Sequence, residues 1–321
     1  MLLALLACTA TAAPFAFSKT LGDHAVLQNP IVIWGMGAAG SQVTTVVNAS
    51  ASPSPDAAAA AAPATTLETT VGADGIWRQP LGAMATGLTA YTITSTITSR
   101  TSSGGLAGAD ADADADANAD APIVLKDVLV GVTFLCSGQS NIDLVSVAKA
   151  LNATAELAAC ESANWTHVRL LKVAGAASWG GPQPDLTAAP AIPWSAFPSS
   201  AGCAAASATC YFAARDLFEA LGGGTPVGAV QSAVGGTALR QWVPTVGLAR
   251  CSQPWAGLMH YGAAPYAAST HYNAMVAPFG TGPTAFSFVL WDQVHTLYIR
   301  CTTRYDRLST SPPPADSSAF S

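Results

Sequence analysis

One low-complexity run, "SSGGLAGADADADADANADAP" (102–122), divides the chain into two stretches with different hydrophobic grammar. That change limits what the chain can fold into. Before the run, residues 18–101 carry short segments rich in branched and aromatic side chains: "IVIWG" (31–35), "QVTTVV" (42–47), "TLETTV" (66–71) and "YTITSTIT" (91–98). Gly, Pro, Asp and Ser punctuate them at the intervals of a small antiparallel β-sandwich. "ASASPSPDAAAAAAPA" (49–64) reads as a loop expansion, because Pro and Ser defeat an alanine helix. After the run the order becomes strand, then helix. "VTFLCS" (132–137), "VRLLKV" (168–173), "VGAVQ" (227–231) and "FSFVLW" (286–291) are short apolar strands. "NATAELAACESA" (152–163) and "AAASATCYFAARDLFEALGGG" (204–224) are helix formers, the second stopping at a glycine run. Strands separated by helices predict an α/β fold, a parallel sheet with helices on both faces.

The dividing run itself is a solvated linker, since alternating Asp and Ala cannot bury enough apolar surface to order a chain. Its acidic spacing invites a calcium reading, but the glycine and closing glutamate of an EF-hand loop are absent. The run also distorts the charge. Five of the nineteen acidic residues (Asp110, Asp112, Asp114, Asp116, Asp120) lie in it, and without them the net charge of −6 becomes −1. No basic cluster is present to neutralise phosphates, which argues against a nucleic-acid partner.

"MLLALLACTATAAPFAF" (1–17) is an apolar run ending in small residues. It predicts a secretory signal over residues 1–13, although a basic leading segment is missing; a buried N-terminal strand is the alternative. No stretch reaches the roughly 18 apolar residues of a spanning helix. Beyond the signal six cysteines remain: Cys136, Cys160, Cys203, Cys210, Cys251 and Cys301. None has C-x-x-C metal spacing. In a secretory protein an even number permits disulfides, with fifteen possible pairings. The close pair Cys203 and Cys210 would close a small loop or remain as two buried thiols. Asn48-Ala-Ser, Asn152-Ala-Thr and Asn164-Trp-Thr are glycosylation sequons on the same condition. The reading is therefore of a protein of the secretory pathway.

"SGQSN" (137–141) ends the first predicted parallel strand, and reactive groups gather where such strands end. Gly138 allows a tight turn that presents Ser140 at the sheet edge, with backbone N–H groups of the next helix nearby. A serine there can attack a carbonyl while those donors hold the oxyanion. Alternatively, Ser140 or Asn141 caps the helix. On spacing alone the two readings stand level.

The longer segment "DVLVGVTFLCSGQSN" (127–141) resembles the first block of the sialate O-acetylesterases, a family of SGNH hydrolases. "TLGDHAVLQNPIVIWGMGAAGSQVTTVV" (20–47) and "DGIWRQPL" (74–81) resemble that family's N-terminal β region. "VGAVQSAVGGTALRQWVP" (227–244) resembles its second block, "HYNAMVAPF" (271–279) the segment before the third, and "FVLWDQ" (288–293) the start of the third. The motifs are collinear. The resemblance implies an SGNH-hydrolase, flavodoxin-like parallel sheet over residues 123–293, preceded by a small β-sandwich. It makes Ser140 the nucleophile. Its own N–H and that of Gly235 would be oxyanion donors, with the Gln293 side chain as a third contributor. As a bland alternative, Gly235 and Gly236 merely permit a turn. The implied reaction removes O-acetyl groups from sialic acids or related sugars through an acyl-enzyme and needs no metal or organic cofactor. Acetyl esters of plant-type polysaccharides, and sugar binding without turnover, are the alternative readings.

After Gln293 the family's Gly-Glu gives way to an unrelated tail (294–321), and its late Asp-x-x-His is not spelled there. "DQVH" does place His295 three residues after Asp292, but directly behind the fourth predicted strand, where the family carries no base. His260 and His271 read as structural or surface residues, and Asp143 as a residue of the helix after Ser140. The sequence thus leads to the expectation of a C-terminally truncated, impaired esterase.

Overall fold

Three sheets organise the chain, whose computed structural model describes residues 14–50, 64–99, 121–150, 152–161, 165–197, 200–250 and 268–293. The signal and tail readings, the linker up to residue 120 and residues 51–63 of the loop expansion, together with Asn164, Cys251, His260, His295 and Cys301, lie outside these residues.

The N-terminal strands are β1 (Ala16–Phe17), β2 (Val26–Leu27), β3 (Ile31–Met36), β4 (Gln42–Ala49), β5 (Thr65–Thr70), β6 (Ile76–Gly82), β7 (Gly87–Ser99) and β8 (Ile123–Val130). They form a three-stranded sheet, β1-β3-β6, and a five-stranded sheet, β2-β8-β7-β4-β5. In β4 the alternation predicted from "QVTTVV" is real: Val43, Thr45 and Val47 are buried, and Gln42 and Asn48 exposed. Pairing is antiparallel except for β2 with β8, which run parallel. The β8 strand starts at Ile123, where the strand–helix pattern was expected to begin, yet it pairs with β7 and β2.

The third sheet contains β9 (Val132–Gly138), β10 (Val168–Lys172), β11 (Ile192–Ala196), β12 (Val227–Ala233) and β13 (Phe288–Asp292), in the order β11-β10-β12-β9-β13. Four strands are parallel and β11 is antiparallel at the edge. This departs from the flavodoxin-like expectation, in which the first parallel strand lies between the second and third. Here β9 lies between β12 and β13. Burial accounts for the centre: every residue of β12 is buried, and in β9 all but Val132, whereas β13 is partly exposed throughout.

The helices are α1 (Ser140–Asp143), α2 (Ala153–Cys160), α3 (Ser200–Ala205), α4 (Ala208–Ala220), α5 (Thr245–Leu248) and α6 (Ala277–Thr281). One face of the sheet, through Phe134, Cys136, Val168, Leu170, Val227 and Ala229, shares a core with Ile142, Cys160, Cys203, Tyr211 and Phe218 from α1–α4. Among the described residues, the other face does not carry the matching helical layer expected. Leu135, Leu171 and Val230 join Trp242, Met275 and Phe279, from short helical turns, and the β-rich half through Ile33, Trp77 and Ile93. Those large apolar strand residues occupy the space that a second layer of long helices would need.

Disulfides Cys136–Cys210 and Cys160–Cys203 cross the helical layer. The Cys203–Cys210 loop closure, and the free-thiol alternative, are thereby corrected. Cys210 on α4 faces β9, whereas Cys203 on α3 faces the end of α2. Among the described residues no helix is long and apolar enough to cross a membrane, and no cluster of His, Cys, Asp and Glu is built to hold a metal ion.

An ion cluster fastens β10 to the β-rich half. Arg169 is buried and places its guanidinium 2.9 Å from the Asp127 carboxylate of β8. It also donates to the carbonyls of Thr166 (2.6 Å) and His24 (3.2 Å), while His24 Nδ1 lies 2.7 Å from Asp127. Burial works to raise the Asp127 carboxyl, but hydrogen bonds from Arg169 and His24, with their charges, hold it below its ordinary 3.8. A lowered folded value stabilises fully above the unfolded value and is lost as pH falls through the folded one. Acidification should therefore begin to erode the contribution at about pH 3.8 and remove it only below the lowered folded value. Asp127→Asn keeps a residue tolerant of the left-handed backbone here (φ 52°) but removes the charge facing Arg169. With the Asp127 carboxylate partly open to solvent and Arg169 still bonded to two carbonyls, it should cost about 1 kcal/mol at pH 7 in urea unfolding and flatten the acid limb of the stability curve.

Candidate active site

The site is built where β9, β12 and β13 end together. Gly138 stands opposite both Ala233 of β12 and Asp292 of β13. Two residues beyond Gly138 comes Ser140, two beyond Ala233 comes Gly235, and one beyond Asp292 comes Gln293. The sheet register thus delivers the predicted nucleophile and both predicted oxyanion contributors to one edge.

The turn into α1 depends on Gly138. Its φ of 144° suits glycine, and a Cβ there would collide with the Asp292 carbonyl oxygen. That same oxygen accepts the Gln139 N–H at 3.1 Å. Gln139 precedes α1, and its carbonyl accepts the N–H groups of Ile142 (3.0 Å) and Asp143 (2.8 Å). Ser140 therefore opens the helix half-buried, and among the described residues no hydrogen bond engages its hydroxyl. Neither Ser140 nor Asn141 caps α1: the preceding residue is Gln139, which makes no side-chain cap. Asn141 instead donates from Nδ2 to the Asp292 carboxylate at 3.2 Å. Ser137 is fully buried and donates to the Ser232 carbonyl at 2.6 Å, so it knits β9 to β12. Gln231, also buried, accepts the Ser207 N–H at 3.0 Å and reaches the Ile142 carbonyl at 3.4 Å, tying α1 and α4 to the sheet.

Gly236 takes a left-handed φ of 75° in the turn after β12. Thr237 braces that turn: its hydroxyl donates to the Val234 carbonyl (2.7 Å) and accepts from Trp242 Nε1 (2.8 Å). The Gln293 amide donates to the Thr237 carbonyl at 2.8 Å and so joins β13 to the same turn. Gly235 N–H donates to Asp143 Oδ2 at 3.0 Å, and Asp143 Oδ1 lies 4.0 Å from Lys172 Nζ. Asp143 is a residue of α1, as expected. Its bond to Gly235 was not anticipated, although a spacing of three from Ser140 would have pointed to a shared helical side.

The described histidines are all committed elsewhere. His24 pairs with Asp127, and His167 stacks on Phe218 with ring centroids 6.4 Å apart. His271 donates from Nδ1 to the Ala176 carbonyl at 2.7 Å and stacks on Trp242 at 5.1 Å. Burial pushes the His271 imidazole below its ordinary value, outweighing that hydrogen bond.

No family model matches the chain. A sialate O-acetylesterase from Pongo abelii is 26% identical over 274 residues, covering 82% of this chain and 46% of its own length. The Homo sapiens sialate O-acetylesterase is 33% identical over 161 residues, 48% of this chain and 29% of its own. The chain spans less than half the length of these curated relatives. A crystal structure of a carbohydrate acetylesterase from Xanthomonas citri shares the fold, with a TM-score of 0.62 at 24% identity, covering 87% of this chain and 51% of that one. Similarity in sequence to sialate O-acetylesterases along most of the chain thus agrees with similarity in fold to a carbohydrate acetylesterase.

Proposed function

We propose that the chain is a serine esterase that removes O-acetyl groups from sialic acids or related sugars. The observation that carries this reading is the common sheet edge of Ser140, Gly235 and Gln293 in a chain similar to sialate O-acetylesterases. Ser140 Oγ attacks the acetyl carbonyl carbon and gives up its proton to a base. The Ser140 and Gly235 N–H groups, with the Gln293 amide, hold the oxyanion. The sugar alcohol leaves with a proton, and water then attacks the acetyl-enzyme to release acetate and restore the hydroxyl. The two disulfides support action in an oxidising compartment, extracellular or lysosomal.

A second reading, sugar binding without turnover, is favoured by the histidines: the described ones are held by other partners, and none bonds Ser140. The test is hydrolysis of an aryl acetate and of an O-acetylated sialic acid by the 321-residue chain, beside binding of the same sialic acid. Turnover of both esters supports the esterase. Binding with no release of acetate would replace it with the second reading. Acetate release that disappears in His295→Ala would assign the base to the tail.

A further inference from the structure

We propose that Asp143 is an internal competitor for the oxyanion donor: its carboxylate occupies the Gly235 N–H in the free protein, and the acyl oxygen displaces it toward Lys172. The proposal rests on the esterase reading above. Asp143 lies three residues after the proposed nucleophile on the same short helix, and its Oδ2 accepts the Gly235 N–H at 3.0 Å. That N–H is the donor an oxyanion would need. An N–H bonded to a carboxylate is held about twice as strongly as one bonded to a neutral acceptor. A neutral ester carbonyl is therefore a poor competitor, and the exchange becomes favourable only as negative charge develops on the substrate oxygen.

The displaced carboxylate has a second partner within reach. Lys172 ends β10, and its Nζ lies 4.0 Å from Asp143 Oδ1 while also donating to the Ala205 carbonyl at 3.4 Å. At 4.0 Å the ion pair is loose, so Asp143 has two stations: shared between Gly235 and Lys172 in the free protein, and with Lys172 alone when the donor is in use. Sharing the donor costs rate, because part of the stabilisation offered to the oxyanion is spent on expelling the carboxylate.

Phenylboronic acid tests this in the full chain without requiring turnover. Ser140 Oγ adds to boron with loss of its proton, and the anionic tetrahedral adduct places an oxygen where the oxyanion would lie. The dissociation constant is read by titration calorimetry. Asp143→Ala should bind about tenfold more tightly than the parent, a difference of about 1.4 kcal/mol. Asp143→Asn, which keeps the shape and loses the charge, should fall between them. Lys172→Met should weaken binding, since the carboxylate then has no second station. Unchanged or weaker affinity in Asp143→Ala, with dependence on Ser140 intact, overturns the proposal alone. Boronate affinity that does not depend on Ser140 overturns the esterase reading, and the proposal with it.

Discussion

Ser140→Ala is expected to abolish covalent labelling by a fluorophosphonate and to lower ester turnover by at least about 10³-fold, since a missing nucleophile leaves only what binding and the oxyanion donors supply. Ser137→Ala should behave differently. The Ser137 hydroxyl is fully buried and spent on the Ser232 carbonyl, so its removal should preserve labelling and cost about 1 kcal/mol of stability. The two serines are three residues apart on either side of Gly138 and differ in access rather than chemistry: one sits inside a strand, the other opens a helix at the sheet edge. Mass mapping of the phosphonyl adduct decides between them. An adduct on Ser137, or labelling that survives Ser140→Ala, would remove the proposed nucleophile.

The parts of this site that sequence could reach are those encoded locally. The apolar runs of β9 and β12 fill the centre of the sheet, and the glycine after each marks where a turn must follow. Strand order is not local. It depends on which runs can be buried on both faces and on what covers them, and here the β-rich half covers one face in place of helices. The β11 strand escaped notice for a related reason. It is short and contains Pro193, which lacks the N–H of a ladder residue and reads as a break. At the sheet edge that missing donor has no partner to lose. The Asp143–Gly235 bond joins residues 92 apart in sequence, so neither motif alone discloses it. The disulfide pairing is equally hidden: proximity in sequence suggested Cys203 with Cys210, but two adjoining helices direct those side chains to different partners.

Those disulfides should carry much of the stability of the C-terminal half. They join residues 74 and 43 apart, and loops of that length restrict the unfolded chain enough to contribute about 4 kcal/mol each in the chain-entropy view. A domain of this kind is stable by about 5–15 kcal/mol in total, so losing both should bring it close to unfolding at 37 °C. Removing them singly separates their effects. Cys160→Ala with Cys203→Ala releases α2 from α3, away from the nucleophile turn, and should lower the urea midpoint while leaving Ser140 reactive below it. Cys136→Ala with Cys210→Ala cuts the tie between β9 and α4, four residues before Ser140, in the same core as Ile142 of α1. It should lower the midpoint by a similar amount and also slow fluorophosphonate labelling in the native baseline, because α1 then keeps its ties to Gln231, Gly235 and Asp292 but loses the covalent brace of the core beneath it. Equal labelling rates in the two variants would show that the Cys136–Cys210 bond stabilises the half without positioning the nucleophile. A midpoint unmoved by full reduction would show that the helical layer holds without either bridge.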